Sequence, residues 1–276
     1  MRCLLSLFAL ALAYAAAGQD YSGPEPGQAD IAWVAEGEFC EPETVLTLPD
    51  DTLLVSNVCD FRTEGAGYLS LLDAEGGVFD WRVVDELDSP LGMALEGSTL
   101  YVVDMNRIRV LRWPGYEPLE IIELDTSVAN DVAVADGTLY VTDTADGVVV
   151  VIAPDRELSR IESPFAGANG IAIRDDSLYV GGARLWRYDF GTQQTETVGP
   201  AWLADIDGIE FESDGTLQVT PVGGPLVRYR GSDDIEVLGG EGVSSANHGY
   251  SPALGLALIP TGYDNTVIAI RLAADD

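Results

Sequence analysis

The sequence predicts an all-β protein, a six-bladed β-propeller of four-stranded blades around a central channel, and three observations predict it. A segment of about 40 residues recurs six times, the length one blade needs. Each copy holds short alternating or β-branched runs divided by Gly- or Asp-rich turns. No stretch of the chain beyond its N-terminal leader carries a sustained helical period.

The copies are read by setting Asn130 to Asp143 (NDVAVADGTLYVTD) beside Asn169 to Gly182 (NGIAIRDDSLYVGG), which match without a gap. Leu91 to Asp104 fits the same frame; with an extra residue or two so do the segments starting at Glu43 and Asp207 and, more loosely, Asn247. The starts are separated by 48, 39, 39, 38 and 40 residues, the first interval being stretched by an insertion around Phe61 to Gly67. In each unit an alternating strand (Val132, Val134) enters a turn such as Asp136-Gly137. A second strand rich in β-branched and aromatic residues follows, as in Thr138 to Val141, then a third (Val148 to Ile152, Leu226 to Tyr229) and a fourth (Leu119 to Leu124). Residues 19–36 are expected to supply the outer strand that closes the ring beside the last blade.

The first residues read as a secretory signal, 1–17, leaving one domain over 19–276. Arg2 is the positive region, Cys3 to Ala13 the apolar run and Ala15-Ala16-Ala17 the small-residue cleavage site. That run is too short to span a bilayer, and none later is long enough. The expected location is therefore exported, periplasmic or extracellular. Cys40 and Cys59 remain after cleavage, so one pairing is open to them; an oxidising compartment favours the disulfide over two buried thiols.

The formal charge is −32, all 14 basic residues are arginine, and there is no lysine. A field so acidic repels nucleic acid and anionic membranes and tolerates salty surroundings. The partner expected is a small molecule, and the chain is expected to be a monomer.

In a propeller the innermost strand of each blade lines the channel, so the residue that opens it faces its five counterparts at one rim. Those residues are Glu43, Leu91, Asn130, Asn169, Asp207 and Asn247. Five carry side-chain oxygens, although Asn and Asp are depleted in strands. Asn130-Asp131, Asn169-Gly170 and Asp207-Gly208 also suit turns. Glu43, a poor turn former in the same phase, favours convergence on a cation. His248, the single histidine, adjoins the rim, and Asn247 and His248 are candidates for rim or substrate contacts.

Pro42-Glu43, Asn130-Asp131, Asn169-Gly170 and Asp207-Gly208, in order and in phase, resemble the senescence-marker-protein/gluconolactonase/luciferin-regenerating family. The segments Ala246 to Pro252, Leu258 to Pro260 and Asp264 to Val267 resemble the C-terminal blade of its bacterial members. The resemblance implies a six-bladed propeller with a divalent metal at the channel mouth, its ligands falling on Glu43, Asn130, Asn169 and Asp207. Such hard oxygen donors suit calcium first, magnesium or manganese next, and zinc less. The chain departs from the family at Val128, where enzymatic members often carry an arginine, and at Asn247, where bacterial members commonly carry Asp.

The expected function is metal-dependent hydrolysis of the lactonase or esterase type, with Asp207 as ligand and general base. The alternative is a non-catalytic exported propeller that binds a small molecule or protein and keeps a structural metal.

Overall fold

The computed structural model describes residues 21–162, 164–239 and 245–272; the signal segment 1–17 lies outside the described residues. Six antiparallel sheets follow one another in chain order. The first blade is Pro42–Thr47, Leu53–Asn57, Gly67–Leu72 and Val78–Leu87, and the second is Pro90–Glu96, Thr99–Asp104, Arg107–Arg112 and Glu117–Glu123. Blade 3 runs from Ala129–Ala135 to Leu158–Ile161, blade 4 from Ile171–Arg174 to Gln194–Val198, and blade 5 from Ile206–Phe211 to Asp234–Gly239. Blade 6 takes Gly249–Ser251, Leu256–Thr261 and Thr266–Arg271 from the end of the chain and Asp30–Ala35 from its start.

Closure follows the expected scheme. Asp30–Ala35 pairs antiparallel with Thr266–Arg271, and Gly27–Gln28 adds a short parallel pairing to the outer strand of blade 5. At the inner edge, the amide of Asn247 donates to the Glu43 carbonyl at 2.9 Å, tying the last blade to the first.

The core is divided among the six seams between blades. Leu54 and Leu69 of blade 1 meet Met93, Leu100 and Val102 of blade 2, while Leu53 and Val55 face the other way, onto Leu256 and Leu258 of blade 6. Each blade is thus covered on both faces. This is why the second strands read as unbroken apolar runs such as Leu53-Leu54-Val55 rather than as alternation. The insertion at 61–67 falls between the second and third strands of blade 1.

Cys40 and Cys59 are disulfide-bonded, with Cα atoms 5.0 Å apart. Trp186 is buried among Phe165, Ile171 and Val180, and Trp33 lies over Gly76 of blade 1, both packing between blades.

Candidate functional site

The channel mouth is built from the starts of the inner strands, and a recurrent backbone irregularity shapes it. The ladder between first and second strands shifts register between Pro42 and Val45, Pro90 and Met93, Ala129 and Val132, and Ile206 and Gly208. Such bulges re-aim the side chains they carry, and Glu43, Leu91, Asn130 and Asp207 lie in these stretches. Hydroxyls of the second strands fill the gaps. Ser56 Oγ accepts the Thr44 amide at 3.0 Å, Thr142 Oγ1 the Asp131 amide at 2.9 Å, and Thr220 Oγ1 the Gly208 amide at 3.1 Å. Thr142 and Thr220 also donate across the seam, to the carbonyls of Asn169 and Ala246.

In blades 4 and 6 the inner strand begins two residues later than expected, at Ile171 and Gly249, so Asn169 and Asn247 precede it. Close backbone approach accounts for blade 4. A Cβ on Gly170 would lie 1.7 Å from the Asp207 carbonyl oxygen, so only glycine lets blades 4 and 5 come this near. Asn169 is thereby held beside Asp207.

The mouth residues are almost without solvent exposure, at 3% for Glu43, 8% for Asn130 and Asn169, 0% for Asp207 and 6% for Asn247. Thr44 Oγ1 donates to Glu43 Oε2 at 2.5 Å, and Asn130 Nδ2 donates to Thr144 Oγ1 at 3.1 Å. Glu43 Oε1, Asn130 Oδ1, Asn169 Oδ1 and both Asp207 carboxylate oxygens are buried with no hydrogen-bond donor. Burial raises the pKa of Glu43 well above the carboxylate range; repulsion from Asp207 and Asp131 adds to the rise and the Thr44 hydroxyl opposes it. Burial likewise raises Asp207, repulsion from Asp131 adds, and the neighbouring Asn169 amide tempers the rise. No arginine pairs with either acid among the described residues.

The mouth includes an acid read in the sequence only as the second half of a turn pair. Asp131 is buried, and it accepts from the amides of Val132 at 2.8 Å and Ile171 at 3.0 Å. Burial pushes it up to about 7 against those bonds and the Asn247 side chain. The matching position of blade 2 is Gly92, whose Cβ would stand 2.0 Å from Asp131 Oδ1. Two residues further on, Glu210 stands where blades 2, 3 and 4 carry Ala94, Ala133 and Ala172, and burial together with Asp131 raises it to about 8. The signal was present: one position past the rim Asp131 is the single acid where three copies carry glycine, and three positions past it Glu210 is the single acid where three carry alanine.

His248 is buried in the seam between blades 5 and 6, its Nδ1 3.0 Å from Thr220 Oγ1. The Thr220 hydrogen goes to the Ala246 carbonyl, so Nδ1 carries the proton and donates to Oγ1. Nε2 is then a buried acceptor without a partner. Burial pushes the imidazole down to about 3, so it is neutral at physiological pH. Val128, also buried, spends its amide on Asp143 Oδ1 at 3.0 Å and adds no charge to the mouth.

Arg107 and Arg109, alternating on the third strand of blade 2, both turn to one buried carboxylate. Both bond Asp104, at 3.4 and 2.8 Å from its Oδ2, because that carboxylate is fully buried and needs them. Among the described residues no three His, Cys, Asp or Glu side chains cluster closely enough to hold a metal by themselves. A cation at the mouth would therefore depend on the asparagine carbonyls.

The chain is thus a six-bladed β-propeller with an acidic, donor-poor channel mouth. No protein-family model matches it, that of the family its motifs resemble included, and no curated protein does. Solved structures similar to it include a catalytically inactive histidine-to-alanine variant of virginiamycin B lyase from Staphylococcus aureus with quinupristin. The identity is 13%, the TM-score 0.59, and the match covers 87% of this chain and 99% of that one. A selenomethionine-substituted virginiamycin B lyase from Staphylococcus aureus matches at 10% identity and TM-score 0.60 over 87% and 99% of the chains. A streptogramin B lyase matches at 14% and 0.59 over 87% and 98%. At these identities the shared property is the fold. Among the described residues no helix is long and apolar enough to cross a membrane.

Proposed function

We propose that this chain is an exported, monomeric, divalent-cation-dependent hydrolase of the lactonase or esterase type, working on a small ester or lactone at the channel mouth. The observation that carries the reading is the set of five buried, donorless oxygens on Glu43, Asn130, Asn169 and Asp207. An unsatisfied buried polar atom costs about 1–3 kcal/mol, and more when charged. Two buried carboxylates that repel one another, with no basic residue paired to either, add to that cost. The four side chains would hold calcium, or magnesium or manganese, and suit zinc less because no nitrogen or sulfur belongs to the set. A cation so held supplies Lewis acidity toward an ester carbonyl and acidifies a bound water.

Asp207 is the general base in this reading. Burial raises its pKa toward neutrality, the range in which a carboxylate exchanges protons effectively at working pH. The Asn169 amide beside it keeps the charged form accessible. Asn247 and His248 border the site, and the neutral Nε2 of His248 can accept a hydrogen bond from substrate or water.

Elimination is the second reading, because it too needs a base and is the reaction class that the names of the structural neighbours print. One screen separates the possibilities. Lactones, aryl esters and a streptogramin B are incubated with calcium-loaded protein, with and without chelator, and products are weighed. Hydrolysis adds one water and elimination adds none. Activity that chelation abolishes and calcium restores is the expected result. Metal-replete protein that turns over no ester or lactone would defeat the hydrolase, and a non-catalytic binding propeller would take its place.

A further inference from the structure

The mouth is lopsided, and the insertion in blade 1 sits on its apolar side. Of the six rim positions, blade 2's alone is apolar, Leu91. Over that sector passes the 61–67 loop, which is anchored rather than left free. The Cys40–Cys59 disulfide ties its base, and the Asp60 amide donates to Glu41 Oε2 at 3.1 Å. The Arg62 amide donates to Ser89 Oγ at 2.7 Å, and the Gly65 amide to Asp88 Oδ1 at 3.1 Å. Cys59, Asp60 and Arg62 have φ of 50°, 80° and 70°, a left-handed course that such anchors maintain.

From this loop Arg62 reaches past blade 2. Its Nη2 donates to the Ser127 carbonyl at 3.3 Å, in the linker that enters blade 3 three residues before Asn130. Its guanidinium lies 5.3 Å from the ring of Phe61, which is 40% exposed. In a chain with 46 acids, Arg62, Arg112 and Arg184 are the arginines without an ion pair among the described residues. Arg112 ends the third strand of blade 2, opposite Thr99 and so at the other end of the channel. Arg184 is committed to the linker into blade 5, its Nη2 on the Pro200 carbonyl. Arg62 is the one of the three that is exposed on the mouth side with guanidinium donors to spare.

Building on the hydrolase reading above, we propose that Arg62 is a specificity-determining residue that binds a carboxylate of the substrate. The substrate class is then a small anionic ester or lactone. Its reacting carbonyl lies toward the oxygen-lined side and its body against the Leu91 and Phe61 side. A net charge of −32 repels such a molecule in general, so its capture needs a local positive group, and a guanidinium fork matches a carboxylate in shape.

The test uses full-length, calcium-loaded protein in high salt, where the general field is screened. Hydrolysis of para-nitrophenyl hemisuccinate, an anion, is compared with that of para-nitrophenyl butyrate in wild type, Arg62→Gln, Arg62→Lys and Arg112→Ala. Arg62→Gln keeps a polar side chain and loses the charge. It should lower kcat/KM for the hemisuccinate about tenfold to a hundredfold, through KM, and leave the butyrate unchanged; a charged hydrogen bond has that strength. Arg62→Lys should recover part of the loss, and Arg112→Ala should match wild type. Equal losses on both esters, or none on either, overturn the proposal. If wild type cleaves neither ester the hydrolase reading fails, and calorimetric titration with glutarate then decides recognition alone. Glutarate binding that Arg62→Gln abolishes sustains the carboxylate site. Binding absent from wild type, or unchanged in Arg62→Gln, ends it.

Discussion

Asp143 and Asp207 are both aspartates with 0% solvent exposure, and the fold holds them in opposite ways. Asp143 closes the second strand of blade 3 and accepts from the amides of Ser127, Val128, Ala145 and Asp146, between 2.7 and 3.3 Å. Asp104 does the same in blade 2, taking the amides of Asp88 and Ser89 and the side chains of Arg107 and Arg109. These carboxylates pin the linker into their blade, and their charge is fully answered. Asp207 has no charged or backbone donor on either oxygen, only the Asn169 amide near enough to temper its pKa, and two acids for neighbours. Burial alone therefore does not say how a carboxylate is held; its partners do.

The largest effect that would sharpen this contrast is catalytic. Asp207→Asn keeps an oxygen donor and removes the base, so calcium binding should remain measurable while turnover falls by about 10²–10⁴, the usual contribution of a positioned acid or base. Calorimetry and initial rates on the same preparation check it; an unchanged rate in metal-saturated Asp207→Asn would remove Asp207 from the chemistry.

On the structural side, Asp143→Ala strands four amides and should destabilise the fold by about 4 kcal/mol, given 1–3 kcal/mol for each unsatisfied group and partial rehydration. Asp207→Asn in chelator should instead be neutral or stabilising, because it removes an unanswered charge. Urea unfolding of the two variants measures both, and equal destabilisation would erase the distinction.

Reduction of Cys40–Cys59 should cost about 3 kcal/mol from the chain entropy of a loop of this size. Free-thiol labelling of unreduced, exported protein should find no cysteine. Stoichiometric labelling would show that the bridge does not form in place.

The smallest effect is on pH dependence. Folding raises the pKa values of Asp207 and Asp131, so between the ordinary carboxylate range and about 7 the cation-free native state holds protons the unfolded chain has released. Stability contributed by these groups is thus full below the ordinary carboxylate range and declines as pH rises toward about 7. Tm in chelator should be a few degrees lower at about pH 7.5 than at about pH 5, and saturating calcium should narrow the gap. A gap that calcium leaves untouched would mean that other acids set it.

Much of this was legible in residue order. The 38 to 40 residue recurrence marks the blades, and the leading residues of the six copies, Glu43, Leu91, Asn130, Asn169, Asp207 and Asn247, mark the rim. The Cys40 and Cys59 pairing is the one left if Cys3 departs with the leader, and the two are bonded. Asp131 is hard to read because Asn-Asp suits a turn locally, and its neighbours, Gly92 of the adjacent blade and Asn247 of blade 6, are remote in sequence. The pairing of Arg107 and Arg109 with Asp104 joins adjacent strands across a turn, which alternation along one strand does not show.

The sequence by itself determined the repeat, the strand order and which residue types stand at the rim, because these depend on local periodicity and on copies that can be compared letter by letter. Only the tertiary structure decided which carboxylates are answered and which are not. That depends on the donors folding brings up: linker and turn amides at Asp143, the amides of Asp88 and Ser89 with Arg107 and Arg109 at Asp104, and at Asp207 little beyond the neighbouring Asn169 amide. A side chain's partners are set by the closing of the ring, which no single stretch of chain contains.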